Sequence, residues 1–300
     1  MRLHFAVAAV LLAGLGLWPA VAQTSSAAPS CTTTTIPVNS SDTGNVYPSG
    51  VNSSDIVVGS FQDLVTFAES GFQWSGGTGT LYDYPGASFT LLGGINDNGV
   101  SVGTYGDSSG QQFGFFLSKN GQTQSFSAPG AYNTAANGIN NFNYAVGTSQ
   151  ASVQANVVGF VKHGSNYKTI QYPGAVDTYP LAINDAGMVV GWYYDGSSEH
   201  GFAEYHGNYA IMEPPGSSSS LAEGINNNGV IVGEFRPSAT ADGEGFTYLN
   251  GKFTSYVYPS SSTTYTQLNG VNSLGDRVGD AITGTTNGFL TGPGFLLKCQ

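Results

Sequence analysis

Side chains able to do chemistry are few in this chain of 300 residues, and they stand far apart. Histidine is limited to His4, His163, His200 and His206, and the last three have no Cys or His neighbour at zinc-ligand spacing. His200, with Glu199, Glu204 and His206, makes the only local cluster of titratable groups. Glu199 and His200 directly precede an expected strand, so the cluster reads as a solvated loop rather than an acid–base pair. No Gly-x-Ser-x-Gly elbow stands between a strand and a helix, so no serine nucleophile is marked. Two carboxylates of glycosidase type would have to be gathered by the fold from distant segments. No catalytic residue, metal or cofactor is assigned.

Two residue types recur at a step close to 44 residues and say more. Asparagine stands at Asn52, Asn96, Asn140, Asn184, Asn226 and Asn272, each in or beside a turn signal. A side chain of this kind can cap backbone N–H groups of its turn, which gives the six a structural reading. A calcium loop would need several carboxylates at alternating positions, whereas Asn96-Asp97-Asn98 and Asn184-Asp185-Ala186 offer one each. Aromatic residues follow a Val-Gly pair at Phe61, Tyr105, Trp192-Tyr193-Tyr194 and Phe235. They are either buried between repeats or stacked on a sugar face or a protein partner. Trp192 to Tyr194 is the best candidate patch, because consecutive strand residues point to opposite faces and three rings cannot enter one interface.

The elements that must position these residues are set by an internal repeat. A Gly-Ile/Val-Asn triplet begins at Gly50, Gly94, Gly138, Gly224 and Gly270, with Ala182-Ile183-Asn184 as the variant member. Successive separations are 44, 44, 44, 42 and 46 residues. A Val-Gly pair (Val58-Gly59 to Val278-Gly279) and a Gly-Phe pair (Gly71-Phe72 to Gly294-Phe295) each keep the same register six times. In the fifth unit, Leu221 to Asn226 reads as a first strand and Val230 to Val232 as a second, buried on both faces. Gly245 to Leu249 is a third, Asn250-Gly251 a hairpin turn, and Phe253 to Tyr258 a fourth, stopped by Pro259. Four strands in about 44 residues fit one propeller blade, so the expectation is an all-β, six-bladed β-propeller.

Gly224-Ile225-Asn226-Asn227-Asn228-Gly229, Tyr172-Pro173-Gly174-Ala175 and His200-Gly201-Phe202 carry a resemblance to the HAF-type extracellular repeat proteins of bacteria. It covers essentially the whole chain after the leader, although the other five Gly-Phe steps lack the histidine. The resemblance implies export and a repeat architecture, and no activity.

The first 22 residues read as a signal peptide: Arg2, an apolar run from Ala6 to Trp18, and Ala20-Val21-Ala22 as the cleavage site. The run is shorter than the ~20 residues of a spanning helix, so no membrane insertion is expected. Residues 23–30 form a short linker and 31–300 a single six-repeat domain. The formal net charge is −11, one unit more negative once Arg2 is removed, and no stretch concentrates Lys or Arg. Nucleic acid and anionic membrane surfaces are therefore disfavoured as partners.

The last unit stops after Gly294 to Cys299, one strand short, while Cys31 to Pro37 is a surplus strand before the first unit. If the surplus strand completes the last blade, Cys31 and Cys299 face each other where a hairpin turn is missing, and they bridge. Two function classes follow. One is a secreted, non-catalytic binding or structural module that presents loops on a rigid ring to an extracellular glycan or protein. The other is a secreted carbohydrate-active enzyme, a polysaccharide hydrolase or lyase, with carboxylates near the central channel. Carboxylates gathered in that channel would favour the second, and an aromatic face without them the first.

Overall fold

Repetition of the three anchors builds six near-identical antiparallel sheets, because each anchor solves one packing problem. The computed structural model describes residues 31–38, 44–286 and 288–299, where every regular element is a β-strand. The expected leader, its cleavage site and the linker 23–30 lie outside the described residues. Blade five shows the plan: Ser219–Ile225 innermost, then Ile231–Arg236, Glu244–Leu249 and Lys252–Tyr256 outermost. Asn250 and Gly251 both adopt positive φ (51° and 84°), the two-residue turn that fits the twist of flanking strands. The outer strand ends at Tyr256, where the Tyr258 N–H leaves the ladder and donates to Thr266 Oγ1 of the next blade at 3.0 Å. Thr90, Thr134 and Thr178 hold the chain leaving blades one to three in the same way.

Each inner strand carries a bulge three residues before its turn asparagine, placed between Pro48 and Gly50, Leu92 and Gly94, Ala136 and Gly138, Pro180 and Ala182, Ala222 and Gly224, and Leu268 and Gly270. Opposite every bulge sits the glycine of Val-Gly. A Cβ there would lie 2.0 to 2.2 Å from an inner-strand carbonyl oxygen, so no other residue fits. In five blades the space is bounded by the ring of the Gly-Phe phenylalanine, such as Phe246 against Gly233. The bulge, the glycine and the phenylalanine are thus parts of one joint.

Neighbouring blades pack face to face. Val190, Ala203 and Met212 of blade four meet Ala222, Ile225, Ile231 and Phe246 of blade five. Val232 of blade five meets Leu268, Val271, Ala281 and Phe295 of blade six. At ~25 cal/mol per Å² of apolar surface, these buried faces are the main source of stability, since a lone four-stranded blade has nothing to cover it.

Closure uses both ends of the described chain. Blade six runs Tyr265–Val271, Arg277–Ile282, Gly294–Cys299 and then Cys31–Thr35, with Cys31 opposite Cys299 and Thr35 opposite Phe295. The Cys31–Cys299 disulfide joins Cα atoms 4.1 Å apart. Since Thr35–Phe295 corresponds to Ser255–Phe246 of blade five, the bridge stands where Asn250 and Gly251 turn. A structural disulfide is compatible with an extracellular protein. Ile36 and Val38 then enter the core between blades six and one, beside Val278 and Leu296.

Candidate functional site

The six turn asparagines form a closed circle. Each Nδ2 donates to the backbone carbonyl of the next: Asn52 to Asn96, Asn96 to Asn140, Asn140 to Asn184, Asn184 to Asn226, Asn226 to Asn272, and Asn272 back to Asn52, at 2.8 to 3.3 Å. Each Oδ1 accepts from its own turn, as in Asn226 with the N–H groups of Asn228 and Val230. Val51, Ile95, Ile139, Ile183, Ile225 and Val271 line both the shallow dish on this turn face and the central channel above it. They are therefore the floor between the two.

Above this floor the channel is a cavity of about 710 Å³. A bulge leaves one residue unpaired and re-aims it, and here all six bulge residues line the channel: Ser49, Gly93, Asn137, Leu181, Glu223 and Asn269. Three tie neighbouring blades together. Ser49 Oγ donates to Leu92 O at 2.6 Å, Asn137 Nδ2 to Pro180 O at 2.9 Å, and Asn269 Nδ2 to Pro48 O at 2.7 Å. Glu223 holds the same place in blade five, where only a protonated carboxyl has a hydrogen to give.

Three carboxyls make this wall acidic. Glu223 and Asp280 line the cavity, and Glu234 lies behind it in the second strand of blade five. Enclosure by the channel walls pushes the Glu223 carboxyl up to about 8, and the neighbouring Glu234, Asp280 and Glu199 carboxyls add to the effect. Burial raises Glu234 to about 7, opposed by the Arg236 guanidinium, and raises Asp280 to about 6, opposed by the 2.8 Å hydrogen bond from Asn269 Nδ2. Glu234 Oε2, Asn45 Oδ1 and Asn269 Oδ1 are buried acceptors without a protein partner.

The mouth lies at the end away from the asparagine circle, where exposed Arg236 and Leu290 line the cavity. Blade six adds a hairpin here, Gly284–Thr286 and Phe289–Thr291, tied to blade one by Asn45 Nδ2 to Leu290 O at 3.0 Å. Phe289 packs on Phe67 with ring centroids 5.3 Å apart.

The aromatic residues singled out from sequence are dispersed among the blade interfaces. Phe61 is buried, Tyr193 is buried and stacks on Tyr172 at 3.7 Å, and Tyr105 stacks on Tyr84 at 3.8 Å. Trp192 stacks on Tyr179 at 3.9 Å on the opposite face of its strand, half-buried like Tyr194 and Phe235. None of these six lines the channel. The local cluster around His200 also separates. His200 sits between Glu213 (Nδ1 to Oε1, 2.5 Å) and Asp195 (Nε2 to Oδ2, 3.2 Å), and these carboxylates outweigh burial and raise its pKa. Glu204 instead pairs with Lys168 at 3.3 Å.

Sequence reasoning passed over the bulge residues. The usable signal was the residue before each Gly-Ile/Val-Asn triplet, which varies while the triplet after it is nearly constant. The inserted hairpin also left a trace, since Val278-Gly279 to Gly294-Phe295 is the longest such interval of the six.

No protein-family model matches the chain, and no curated protein matches it. Solved structures do. A streptogramin B lyase structure is 11% identical with a TM-score of 0.52, over 90% of this chain and 98% of that one. TolB from Acinetobacter baumannii is 12% identical with a TM-score of 0.51, over 85% and 64%. A triple mutant of AofleA from Arthrobotrys oligospora is 11% identical with a TM-score of 0.50, over 85% and 84%. At such identities the likeness shows the fold alone, a β-propeller, and the six blades are those traced above.

Proposed function

We propose that this protein is an exported, non-catalytic binding module that takes a small polar ligand in the mouth of its central channel, from an extracellular glycan or protein source. The observation that carries the reading is the channel itself. It is a cavity of about 710 Å³ with a closed floor, and its wall carries six bulge residues, one from each blade and mostly unlike. Such a volume is within the range of small-molecule sites, which run from roughly 300 to 1,000 Å³. Export is supported by the leader-like first 22 residues, the Cys31–Cys299 bridge and the resemblance to HAF-type repeats. A rigid frame suits binding, because little ordering has to accompany capture of the ligand.

A second reading is favoured by one observation, the pair Glu223 and Asp280 on one cavity wall with carboxyls held near 8 and near 6. A protonated and an ionised carboxyl facing one space is the arrangement of an acid–base pair in a polysaccharide hydrolase or lyase. Binding is preferred because Asp280 is clamped by Asn269 rather than presented freely.

The test is a thermal-shift screen of glycans and small polar molecules against the wild type and two variants. Leu181→Trp, which fills the channel, should abolish stabilisation by any hit. The double variant Trp192→Ala, Tyr194→Ala should leave it within twofold. The opposite pattern would move the site to Trp192 and Tyr194, where a contact ring is worth ~2 kcal/mol of affinity. Turnover of a hit, lost in Glu223→Gln, would establish the enzyme instead.

A further inference from the structure

Loops at the mouth face repeat one turn with unlike tips. In blades one, two and four an aspartate opens the turn between the second and third strands, and its Oδ1 accepts the N–H two residues on. Asp63 accepts from Val65, Asp107 from Ser109 and Asp195 from Ser197, at 2.7 to 2.8 Å. Blades two and four thus present serine at the tip, whereas blade one presents Val65, 71% exposed. The residue before the one that closes the turn is Gly110 in blade two, at φ 84°, and Phe67 in blade one, at φ 60°. A left-handed backbone favours Gly or Asn and disfavours a bulky side chain. Phe67 is also 55% exposed, so neither conformation nor burial accounts for a ring at this position.

Blade six makes the second departure. Its added hairpin carries the exposed Phe289 and Leu290, and Phe289 meets Phe67 across the blade boundary. Leu290 and the exposed Tyr47 line the channel, so the apolar rim continues into the cavity. The wall beyond it carries groups of both kinds. Arg236 makes no ion pair among the described residues, and Gln267, whose Oε1 accepts from Tyr265 Oη at 2.9 Å, has an Nε2 without a protein partner. Glu223 and Asp280 supply acceptors in the same cavity. A cation is opposed by Arg236 and an anion by Asp280. A hydroxyl both gives and takes a hydrogen bond, so it suits donors and acceptors alike.

We propose that a neutral oligosaccharide binds end-on, with its terminal sugar among Arg236, Gln267, Glu223 and Asp280 in the channel and its next ring against Phe67 and Phe289 at the rim. This rests on the channel being the binding site. A sugar joins hydroxyls at its edge to an apolar ring face, which matches a mixed polar wall beside aromatic rings. The rim is too small for a protein partner, because a stable protein interface takes about 20 to 30 residues a side. The tips of blades two and four, Ser109 and Ser197, also leave the apolar patch confined to blades one and six. An anionic bilayer is disfavoured by the net charge of −11.

The experiment is titration calorimetry of the full mature chain with three neutral pairs: glucose and cellotriose, mannose and mannotriose, and N-acetylglucosamine and its trimer. Trigalacturonate and the glucosamine trimer serve as anionic and cationic controls. At least one neutral trimer should bind, about tenfold more tightly than its monomer, and the charged trimers should not. That length dependence is read on the wild type and needs no variant to fold. In Phe67→Asn, which suits the positive φ, and in Phe289→Ser, the ratio should fall to about twofold. Leu181→Trp should abolish binding of monomer and trimer alike. Charged trimers bound in place of neutral ones, with loss in Leu181→Trp, would overturn the neutral ligand and leave the channel reading intact. No neutral trimer bound at millimolar concentration, or a ratio unchanged in both Phe variants, would overturn the proposal as well. Neutral binding unaffected by Leu181→Trp would remove the channel reading and the end-on pose with it. Self-association, or adsorption to phosphatidylcholine vesicles, that Phe67→Asn abolishes would give the rim another occupant and overturn the saccharide.

Discussion

Replacing Asn140 with alanine removes three hydrogen bonds from one buried side chain and opens the asparagine circle. The lost contacts are Nδ2 to Asn184 O at 3.0 Å and the two bonds from the Phe142 and Tyr144 N–H groups to Oδ1, also 3.0 Å each. Each such bond is worth ~1 kcal/mol net, so the expected cost is about 3 kcal/mol. For a domain of this size, ~1 kcal/mol moves the unfolding temperature by ~2 °C, which gives a fall of about 6 °C. Asn184 is the internal control. Its donor bond to Asn226 O is longer, at 3.3 Å, and its Oδ1 accepts from Met188 N at 3.0 Å. Asn184→Ala should therefore cost less, about 2 kcal/mol by the same arithmetic. The assay is equilibrium denaturant unfolding of both variants beside the wild type, with unchanged slope as evidence that the native ring persists. A cost below ~1 kcal/mol for Asn140→Ala, or a larger cost for Asn184→Ala than for Asn140→Ala, would show that the circle does not hold the blades together.

Reduction of Cys31–Cys299 should lower the unfolding temperature. The bridge closes a loop of 268 residues, for which the chain-entropy relation gives an upper limit of about 5.5 kcal/mol, or roughly 10 °C. Thiol titration of denatured, unreduced protein should find none, and two free thiols would refute the closure. Stability should also fall as pH rises from about 5 to 8.5. Glu223, Glu234 and Asp280 have folded-state pKa values near 8, 7 and 6, above those of the unfolded chain. The folded state thus binds more protons across this window, and the advantage is lost as each group ionises. Carboxyls held low by hydrogen bonds, such as Asp63 by the Thr66 N–H, act only in more acid solution. Glu223→Gln should flatten the slope, and an unfolding temperature that rises with pH, or a slope unchanged in that variant, would contradict the assignment.

How far the molecule could be read from its residues depended on which ones the repeat holds constant. Val-Gly recurs because each of its glycines faces a carbonyl at a distance no Cβ allows, and the phenylalanine of Gly-Phe bounds the same space in five blades, so the blade joint is visible in the repeat. The pairing of Cys31 with Cys299 was legible for a related reason: strand count made one blade incomplete, and only the chain start could complete it. The aromatic residues after Val-Gly were conspicuous through recurrence, and the structure puts them mainly into ring stacks such as Tyr193 on Tyr172.

Glu223 was hidden by simple alternation, which sends successive side chains into the two blade interfaces and none toward the axis. The bulge between Ala222 and Gly224 breaks that alternation and turns one residue per blade inward. The displaced residues share no single type: Ser49, Asn137 and Asn269 bond to the next blade, while a Cβ at Gly93 would meet blade-three carbonyl oxygens at 2.7 Å. Ser49, Gly93, Asn137, Leu181, Glu223 and Asn269 differ from blade to blade, and a ring of mostly unlike residues on like blades makes an asymmetric wall. Function on a repeated frame is accordingly to be sought at the positions where the repeat fails to repeat, with Glu223 in the channel wall and the added strands Gly284–Thr286 and Phe289–Thr291 at the mouth as two such departures.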